Sequence, residues 1–512
     1  VFSQTYENYQ LCIAIYADEE HEETKDKLLL YANAHDEISY VILDKNQGIA
    51  GNTNEALKLA DGDFIALLDH DDFYEPDLFY EVVKVINENM DADVIYTDED
   101  KVDETSTIYS EPYFKSDFNI DLLRGNNYIC HEFMVRKTIV DNIGGFNSEF
   151  DGAQDYDFIF RCIEEARGIY HLPKVLYHWR VHSESTAMDP TAKMYAFDAG
   201  KHAIEAHLDR MNIFGKVEHL EERLGFYSVK YVNKDKPLVS IIIPNRNQMK
   251  ILKRCIDSIL EKSTYDNFEI LIIENNSTEK SIFAYYKKIQ EDNRVKVIVW
   301  DKEFNYSAIN NYGVSKASGE YILFLNNDVK VVAKDWLVDM VGIMSREEVG
   351  IIGAKLLYKD NTIQHGGVII GLGGVAGHAF TGLSKGANGY FTKLLLKHNV
   401  SAVTAACMMV NRQVFKEVNG FDEKLKVAFN DVDFCLKVRE KGYLIVFDPE
   451  VLLYHYESVS RGYENSPEKI KRFNKEIAYM KEKWSDILEN GDPFYNKNLS
   501  LEDNGYHIRR IL

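Results

Sequence analysis

The residues best suited to chemistry in this sequence are acids, amides and histidines that occur twice, in the same order. Residues 62–71 form an apolar run that ends in Asp-His-Asp, and residues 319–328 align with them without a gap and end in Asn-Asn-Asp. Oxygen ligands in such a position can hold Mg²⁺ or Mn²⁺ against a diphosphate. A single pattern of this kind is typical of a helix cap or a solvated turn, but its recurrence favours a functional site.

Two further landmarks repeat downstream. Asp155 and Asp431 each follow a Gly-Phe pair by about ten residues, and His178 and His455 each follow Leu-Tyr. An acid at a helix start can serve as a general base, although it can also simply cap the helix. A histidine at a strand end is either a metal ligand or a buried core residue. Three landmarks in one order indicate two copies of one domain, with two related active sites or one site and a degenerate copy.

The elements that must position these residues alternate between strands and helices, which predicts a mostly parallel sheet covered on both faces. Ligands bind beyond the carboxyl ends of such strands, where both acidic segments lie. The predicted strands are 10–14, 38–43 and 64–68 in copy one and 239–243, 269–273, 295–299 and 321–325 in copy two. The predicted helices are 52–59, 158–165, 191–211, 251–261, 281–289, 308–315, 434–440 and 466–488.

The domain boundary is predicted at the polar segment 233–237, which ends in proline. This divides the chain into a first domain at 1–232, a second at 233–465, and a C-terminal helix and tail at 466–512. The tail is expected along the surface, with the other copy as one option for its partner. Residues 5–9 match 264–268, so copy one lacks the strand and helix that open copy two. Because the chain also begins with Val, we expect it to be a piece of a longer protein.

Composition excludes several classes of protein. The net charge of −23 argues against nucleic acid or an anionic membrane as the main partner, but not against an anionic substrate held through a metal ion. No run approaches the roughly 20 apolar residues of a membrane span. The six cysteines are scattered without metal-ligand spacing, which predicts reduced thiols in a cytoplasmic protein. A place at the inner face of the membrane stays open.

Copy two resembles a known family of enzymes. The segments 240–245, 274–277, 325–328, 420–422 and 430–434 together look like the family 2 glycosyltransferases, and 304–311 resembles their nucleotide-sugar loop. The resemblance implies two tandem GT-A domains, which are α/β, Rossmann-like and built on a mostly parallel sheet. Residues 364–367, 377–380 and 455–462 narrow it to bacterial tandem transferases of the rhamnosyltransferase and surface-polysaccharide type.

The resemblance also implies roles for individual residues. The donor would be a dTDP- or UDP-linked sugar, the acceptor a glycan or lipid-linked glycan, and the cofactor Mn²⁺ or Mg²⁺. Asp431 and Asp155 would be the bases of an inverting transfer, and the metal ligands would be Asp328 with His455 and Asp71 with His178. The nucleotide-sugar ligands would be Pro244, Asn245, Glu274, Asn276, Asn305, Asn311 and Asn326, with Asp69 and Asn54 in copy one. Acceptor-side candidates, each with a core role as the alternative, are Trp336, His365 and His378.

Copy one departs from the family pattern at the nucleotide pocket. Ile15 falls opposite the acid Glu274, and Asp18 could substitute if the loop is shifted. Three functions are therefore compared. The favoured one is a transferase with two sites, and the alternative is one active transferase with copy one as an acceptor-binding module. A metal-dependent phosphohydrolase or nuclease is disfavoured, because neither copy supplies the paired carboxylates that two metal ions need.

Overall fold

The computed structural model describes residues 1–17, 22–181, 194–221, 223–456 and 466–510, which form two compact units. Unit 1 comprises residues 1–118, 123–213 and 217–229, and unit 2 comprises 119–122, 214–216 and 230–512. Unit 2 thus includes a short segment, 119–122, from within the sequence of copy one. Its long segment begins at Lys230, close to the boundary that the sequence predicts at 233.

The elements of the first part of the chain are numbered in order. The strands are β1 (Leu11–Tyr16), β2 (Ile38–Leu43), β3 (Phe64–Ala66), β4 (Phe73–Tyr74), β5 (Ala92–Val102), β6 (Tyr109–Tyr113), β7 (Phe133–Arg136), β8 (Gly168–Arg180), β9 (Gly215–Leu220) and β10 (Arg223–Tyr231). The helices are α1 (Glu22–Ala34), α2 (Gly48–Leu57), α3 (Leu78–Glu88), α4 (Ile120–Leu123), α5 (Lys137–Ile143), α6 (Gln154–Glu165) and α7 (Met194–Arg210).

The numbering continues through the second part. The strands are β11 (Val239–Asn245), β12 (Phe268–Glu274), β13 (Val295–Val299), β14 (Tyr321–Leu325), β15 (Val329–Val331), β16 (Val349–Leu357), β17 (Ile363–His365), β18 (Val368–Ile370), β19 (Ala376–His378), β20 (His398–Asn399), β21 (Cys407–Asn411) and β22 (Leu444–His455). The helices are α8 (Met249–Lys262), α9 (Lys280–Ile289), α10 (Tyr306–Lys316), α11 (Trp336–Ile343), α12 (Arg412–Glu417), α13 (Asn430–Glu440), α14 (Pro467–Lys483) and α15 (Ser485–Asn490).

Unit 2 is built on one sheet with the strand order β13-β12-β11-β14-β21-β16-β22-β15. Its first four strands are parallel neighbours, and β21 runs antiparallel to both β14 and β16. The central strands β12 and β14 are buried along their whole length, as parallel strands covered on both faces must be. The α/β, GT-A fold expected from the sequence is therefore confirmed for this unit.

Unit 1 repeats the same pattern with one gap. Strands β1 and β2 pair in parallel, and a separate sheet has the order β3-β7-β5-β8-β4 with β6 on β5. In unit 2 the strand β11 lies between the equivalents of β1 and β3. No strand fills this place among the described residues of unit 1, so its sheet is divided there.

The C-terminal tail packs onto unit 2 itself, so the expectation of a surface tail is wrong. Trp484 donates its indole N–H to the buried Asp433 at 2.9 Å. Asp492 is buried and accepts the backbone N–H of Ile370 at 2.8 Å. Tyr506 is only 8% exposed and stacks on Phe380 at 4.5 Å between ring centroids. The tail is therefore part of the core of this unit.

Candidate active site

Unit 2 brings its polar candidates together at the carboxyl ends of parallel strands. Asn245 is the last residue of β11, and Glu274 is the last residue of β12 and its register partner. The turn Asn326-Asn327-Asp328 joins β14 to β15. Because these ends meet at one edge of the sheet, the polar side chains that follow each strand converge there.

A hydrogen-bonded chain links the ends of three strands. The buried carboxylate of Glu274 accepts the backbone N–H of Ser277 at 2.6 Å and also the hydroxyl of Tyr286. Asn245 donates its amide to the Tyr286 hydroxyl at 2.8 Å and accepts the amide of Asn327 at 2.6 Å. The sequence pattern predicts Asn245 and Glu274 but not Tyr286, which joins them, or Asn327, which links Asn245 to the turn after β14.

Three further nucleotide-loop candidates lie in or after the strands of this sheet. Pro244 is partly buried in β11 and pairs in register with Ile273. Asn276 has a left-handed backbone, with φ at 54°, and donates its side-chain amide to the Lys302 carbonyl at 2.8 Å. Asn305 caps α10 by accepting the N–H of Ala308. The last two side chains therefore shape the loop backbone.

Asn311 and Asn54 do not fit the sugar-binding role that the sequence predicted. Asn311 accepts the N–H of Phe421 at 2.9 Å and donates to its carbonyl at 3.0 Å. Asn54 makes the same two bonds to Phe146, both at 2.8 Å. Because each amide clamps the backbone of a Gly-Phe turn, these residues position the turn that leads to the candidate base.

The metal candidates of unit 2 face each other. The Nε2 atom of His455 lies 3.2 Å from Oδ1 of Asp328 and 3.2 Å from the amide nitrogen of Asn326. Its Nδ1 lies 2.7 Å from the side-chain oxygen of Gln364. That oxygen accepts the Nδ1 proton, so Nε2 is the ring atom that faces Asp328. A metal-ligating histidine usually has its other ring nitrogen held by a second residue in this way.

The two acids of the Asp-x-Asp motif in unit 2 have different surroundings. Asp431 lies partly exposed in the first turn of α13, where its carboxylate accepts the N–H of Ala405 at 3.2 Å. The adjacent Ala406 carbonyl accepts the N–H of Asn326 at 3.1 Å, so this backbone runs from the base candidate to the metal candidates. Asp433 is fully buried and pairs with Lys483 at 2.6 Å. Only the first acid is available to a substrate.

The three acceptor-side candidates differ in their exposure to solvent. The Nδ1 atoms of His365 and His378 lie 2.7 Å apart, and His365 directly follows the Gln364 that holds His455. Burial lowers the pKa of His365 well below its usual value, which keeps it neutral, whereas His378 is exposed. Trp336 is fully buried and donates its indole N–H to Ser263 at 2.9 Å. Its ring has no face for a sugar, so the alternative core role holds for this residue.

In unit 1 the histidine that matches His455 has different neighbours. His178 lies 2.6 Å from Asp100 through Nδ1 and 3.1 Å from Glu75 through Nε2, so carboxylates occupy both ring nitrogens. Burial lowers the pKa of His178, but hydrogen bonds and charge from Asp100 and Glu75 outweigh it and raise the pKa above its usual value. His178 thus forms an ion-pair cluster with Asp100 and Glu75, and its predicted ligand role stays a prediction.

The acidic turn of unit 1 is one residue longer than that of unit 2. Phe73 pairs with His178 on the neighbouring strand, as Val329 pairs with His455, and the residue just before Phe73 is Asp72. Asp72, not the predicted Asp71, is thus the positional match of Asp328. The gap-free alignment hid this insertion.

Unit 1 gathers a different set of possible metal ligands. Asp69, Asp72 and His131 each offer one ligand atom, and these atoms lie within 4.8 Å of one another. The candidate base Asp155, in the first turn of α6, accepts the amide of Asn127 at 2.8 Å, and burial raises its pKa. His131 was missed because copy two carries Ala406 at the same sheet position, so no repeat marked it.

The structure also places the residue of copy one that matches Glu274. Ile15 pairs with Ile42 as Glu274 pairs with Val299, so the two occupy the same register position of equivalent strands. Two sequence candidates, Asp18 and the segment 458–462, lie outside the described residues.

Comparison with known proteins is consistent with this arrangement. The sequence profile of "Glycosyl transferase family 2" matches residues 1–144 and 240–418. The chain is 44% identical over 512 residues to the uncharacterized protein y4gI of Sinorhizobium fredii, covering 99% of this chain and 56% of that protein. It is 36% identical over 459 residues to the O-antigen biosynthesis protein RfbC of Myxococcus xanthus, covering 90% of this chain and 35% of RfbC. The chain thus spans about half or less of these relatives.

Among solved structures, GalNAc-T7 with UDP, GalNAc and Mn²⁺ matches with a TM-score of 0.42 and 16% identity, over 56% of each chain. Within the described residues, no helix has both the length and the apolar character needed to cross a membrane.

Proposed function

The chain belongs to glycosyl transferase family 2, and from that premise we propose that it is a metal-dependent, inverting transferase with two sites. Each site would move a sugar from a nucleoside-diphosphate donor to a growing bacterial surface glycan. The similarity to an O-antigen biosynthesis protein supports this class of product. The work would take place in the cytoplasm or at the inner face of the membrane, where nucleotide sugars are available.

The donor would lie across the strand ends of unit 2. Glu274 and Asn245 would hold the base and ribose of a UDP- or dTDP-linked sugar, with their orientation fixed by Tyr286 and Asn327. A carboxylate already held by a neighbouring hydroxyl and a backbone N–H needs little rearrangement on binding, which favours affinity.

The divalent metal, Mn²⁺ or Mg²⁺, fits the ligand chemistry of both units. Asp328 and His455 would hold it in unit 2, and Asp69, Asp72 and His131 would hold it in unit 1. When bound, the metal offsets negative charge on the departing diphosphate. Gln364 would keep the His455 proton on Nδ1, away from the metal side.

Asp431 would take the proton from the acceptor hydroxyl in unit 2, and Asp155 would do so in unit 1. Both acids lie in the first turn of a helix, where the dipole favours a carboxylate, although burial raises the pKa of Asp155. Attack from the face opposite the diphosphate would invert the configuration of the sugar. His378, with His365 behind it, would contact the acceptor side.

The single observation that carries the proposal is the facing pair Asp328 and His455, with the tautomer set by Gln364. The experiment is UDP and dTDP binding by calorimetry with Mn²⁺ and with chelator, on wild type, Asp328→Ala and the exposed control Glu347→Ala. We expect metal-dependent binding whose unit 2 component Asp328→Ala removes and Glu347→Ala keeps. Equal binding with chelator would contradict it.

A second candidate function is that unit 1 holds the acceptor glycan without transferring sugar, and two observations support it. Ile15 replaces the nucleotide-side acid, and the sheet of unit 1 is divided where β11 stands in unit 2. Asp72→Ala separates the two functions. If unit 1 is a transferase, the variant should lose one of two activities. If unit 1 only holds the acceptor, transfer by unit 2 should continue.

A further inference from the structure

A basic groove runs along unit 2 between α8 and β15. Its volume is about 400 Å³, and the apolar part of its wall includes Met249. Five cationic side chains line it: Lys250, Lys253, Arg254, Lys262 and Lys330. Two acids, Asp257 and Glu261, are the only carboxylates among the residues that line it, which leaves three positive charges in excess. The whole chain has a net charge of −23, so this surface is opposite in sign to the protein.

Most of these cations are not neutralised by the protein. Lys253 forms an ion pair with Asp257 one helical turn away. In the part of the chain that the structure describes, no carboxylate lies within ion-pair distance of Lys250, Lys262 or Lys330. Lys250 and Lys330 are both exposed and come from different elements. Unpaired lysines that line one concave surface are suited to a compact anion with several oxygens, because each ammonium is a point charge with three donors.

The groove is connected directly to the candidate metal ligands. Lys330 follows Asp328 by two residues. The guanidinium of Arg254 lies 3.7 Å from the ring centre of Tyr456, whose backbone N–H donates to the Asp328 carbonyl at 3.0 Å. The backbone N–H of Val331 donates to the hydroxyl of Ser258, which fixes β15 against α8. A ligand in the groove would thus lie beside the donor site.

Resting on the proposed function, we propose that this groove binds a phosphate or diphosphate group of the acceptor. The acceptor would then be a glycan attached to a phosphate-bearing carrier. The diphosphate of the donor is assigned to Asp328 and His455, so a second anion site is left for the other substrate. A flat anionic membrane is the poorer occupant, since the overall charge of the chain repels an extended negative surface while a groove shields one compact group.

The test uses inorganic diphosphate as the probe, with EDTA present so that the metal-dependent donor site cannot bind it. Acylation of lysines followed by mass spectrometry reports which side chains the probe protects. We expect protection of Lys250 and Lys330 and none of the exposed control Lys359. The double variant Lys250→Gln/Lys330→Gln should weaken diphosphate binding at least tenfold in calorimetry, and Lys359→Gln should not change it. Unprotected groove lysines in wild type would overturn the proposal.

Two control experiments separate the groove proposal from a defect of the donor site and from membrane binding. UDP binding with Mn²⁺ should be retained in the double variant, so a loss of groove binding and a failure of the donor site give different results. If the double variant binds UDP with Mn²⁺ normally and binds diphosphate as tightly as wild type does, only the groove proposal fails. Vesicles with anionic phospholipid should not bind better than neutral vesicles. Lysine-dependent vesicle binding would assign the groove to a membrane and overturn the proposal.

Discussion

Equivalent strands of the two units carry a histidine near their ends, His178 in unit 1 and His455 in unit 2. The two histidines have different neighbours. In unit 2, His455 has one nitrogen held by Gln364 and the other facing Asp328. In unit 1, His178 has both nitrogens occupied, because Asp100 of β5 pairs with it, whereas β16 of unit 2 ends at Leu357, which pairs with Tyr454, one residue before His455. A repeated residue thus fixes a place on the strand, whereas the neighbouring strand decides its chemistry.

A second difference concerns the acids near the metal candidates. Unit 2 has one carboxylate, Asp328, in a turn otherwise made of amides. The longer turn of unit 1 brings Asp69 and Asp72 to His131. Each unit therefore has its own set of candidate metal ligands, made of different residues. A substitution in one unit can test its set without changing the other.

The largest effect is expected for Asp431→Asn, which should lower transfer by unit 2 by roughly 10²–10⁴-fold. The amide is nearly isosteric but cannot accept the hydroxyl proton. Nucleotide binding should stay within twofold of wild type by calorimetry, because Asp431 contacts the backbone near Ala405 and not the nucleotide side. Turnover near that of the control Glu347→Gln would show that another group is the base.

The histidine comparison predicts opposite results for two alanine variants. His455→Ala should weaken Mn²⁺-dependent UDP binding by about a hundredfold, since it removes one of two protein ligands, whereas Gln364→Ala should weaken it by roughly ten- to a hundredfold through the tautomer. His178→Ala should leave binding unchanged and lower the stability of unit 1, because it removes the buried partner of Asp100 and Glu75. Weaker metal-dependent binding in His178→Ala would support its ligand role.

Unit 1 should also show a pH-dependent stability that unit 2 lacks at the same sheet position, where Glu132 is replaced by Cys407. Burial raises the pKa of Glu132 from 4.5 to about 8. Between these values unfolding releases a proton, so the free energy of unfolding falls as pH rises from about 4.5 to about 8. Glu132→Gln removes this slope and should stabilise unit 1 by about 3 kcal/mol at pH 7 in urea unfolding. The exposed control Glu88→Gln should leave the slope intact; a wild-type curve flat over this range would contradict the assignment.

The smallest effect is expected when the residue of unit 1 is placed at the matching position of unit 2. Glu274→Ile places the residue of copy one at the end of β12 and leaves a nucleotide-base edge without its partner, which costs about 1–3 kcal/mol or ten- to a hundredfold in UDP affinity. The matched control Glu269→Gln changes an acid at the start of the same strand, far from its carboxyl end. Unchanged affinity in Glu274→Ile would mean that this acid does not recognise the nucleotide.

The sequence was sufficient for elements whose pattern is local. The strands 38–43, 295–299 and 321–325 were predicted with the bounds that the structure has, because continuous apolar runs ended by polar residues mark buried strands. Strands β11 and β12 extend to Asn245 and Glu274, polar residues that apolar periodicity leaves out. Helix α13 likewise begins at Asn430, before the apolar face starts.

What the sequence could not supply was the pairing between distant segments. Trp336 looked like a sugar platform by residue type, but its burial depends on the packing of α11. Asn311 and Asn54 looked like ligands, but their clamps on Phe421 and Phe146 join residues about a hundred positions apart. His131 had no repeat partner to mark it.

The most direct test of two transferase sites is turnover of a panel of nucleotide sugars with Mn²⁺ by wild type, Asp155→Asn, Asp431→Asn and the double variant. Products are separated by mass and linkage. An enzyme with two sites should show two kinds of transfer, one lost in each single variant and both lost in the double variant. If Asp431→Asn alone removes all transfer and Asp155→Asn removes none, the two-site proposal is contradicted and unit 1 is an acceptor-holding module.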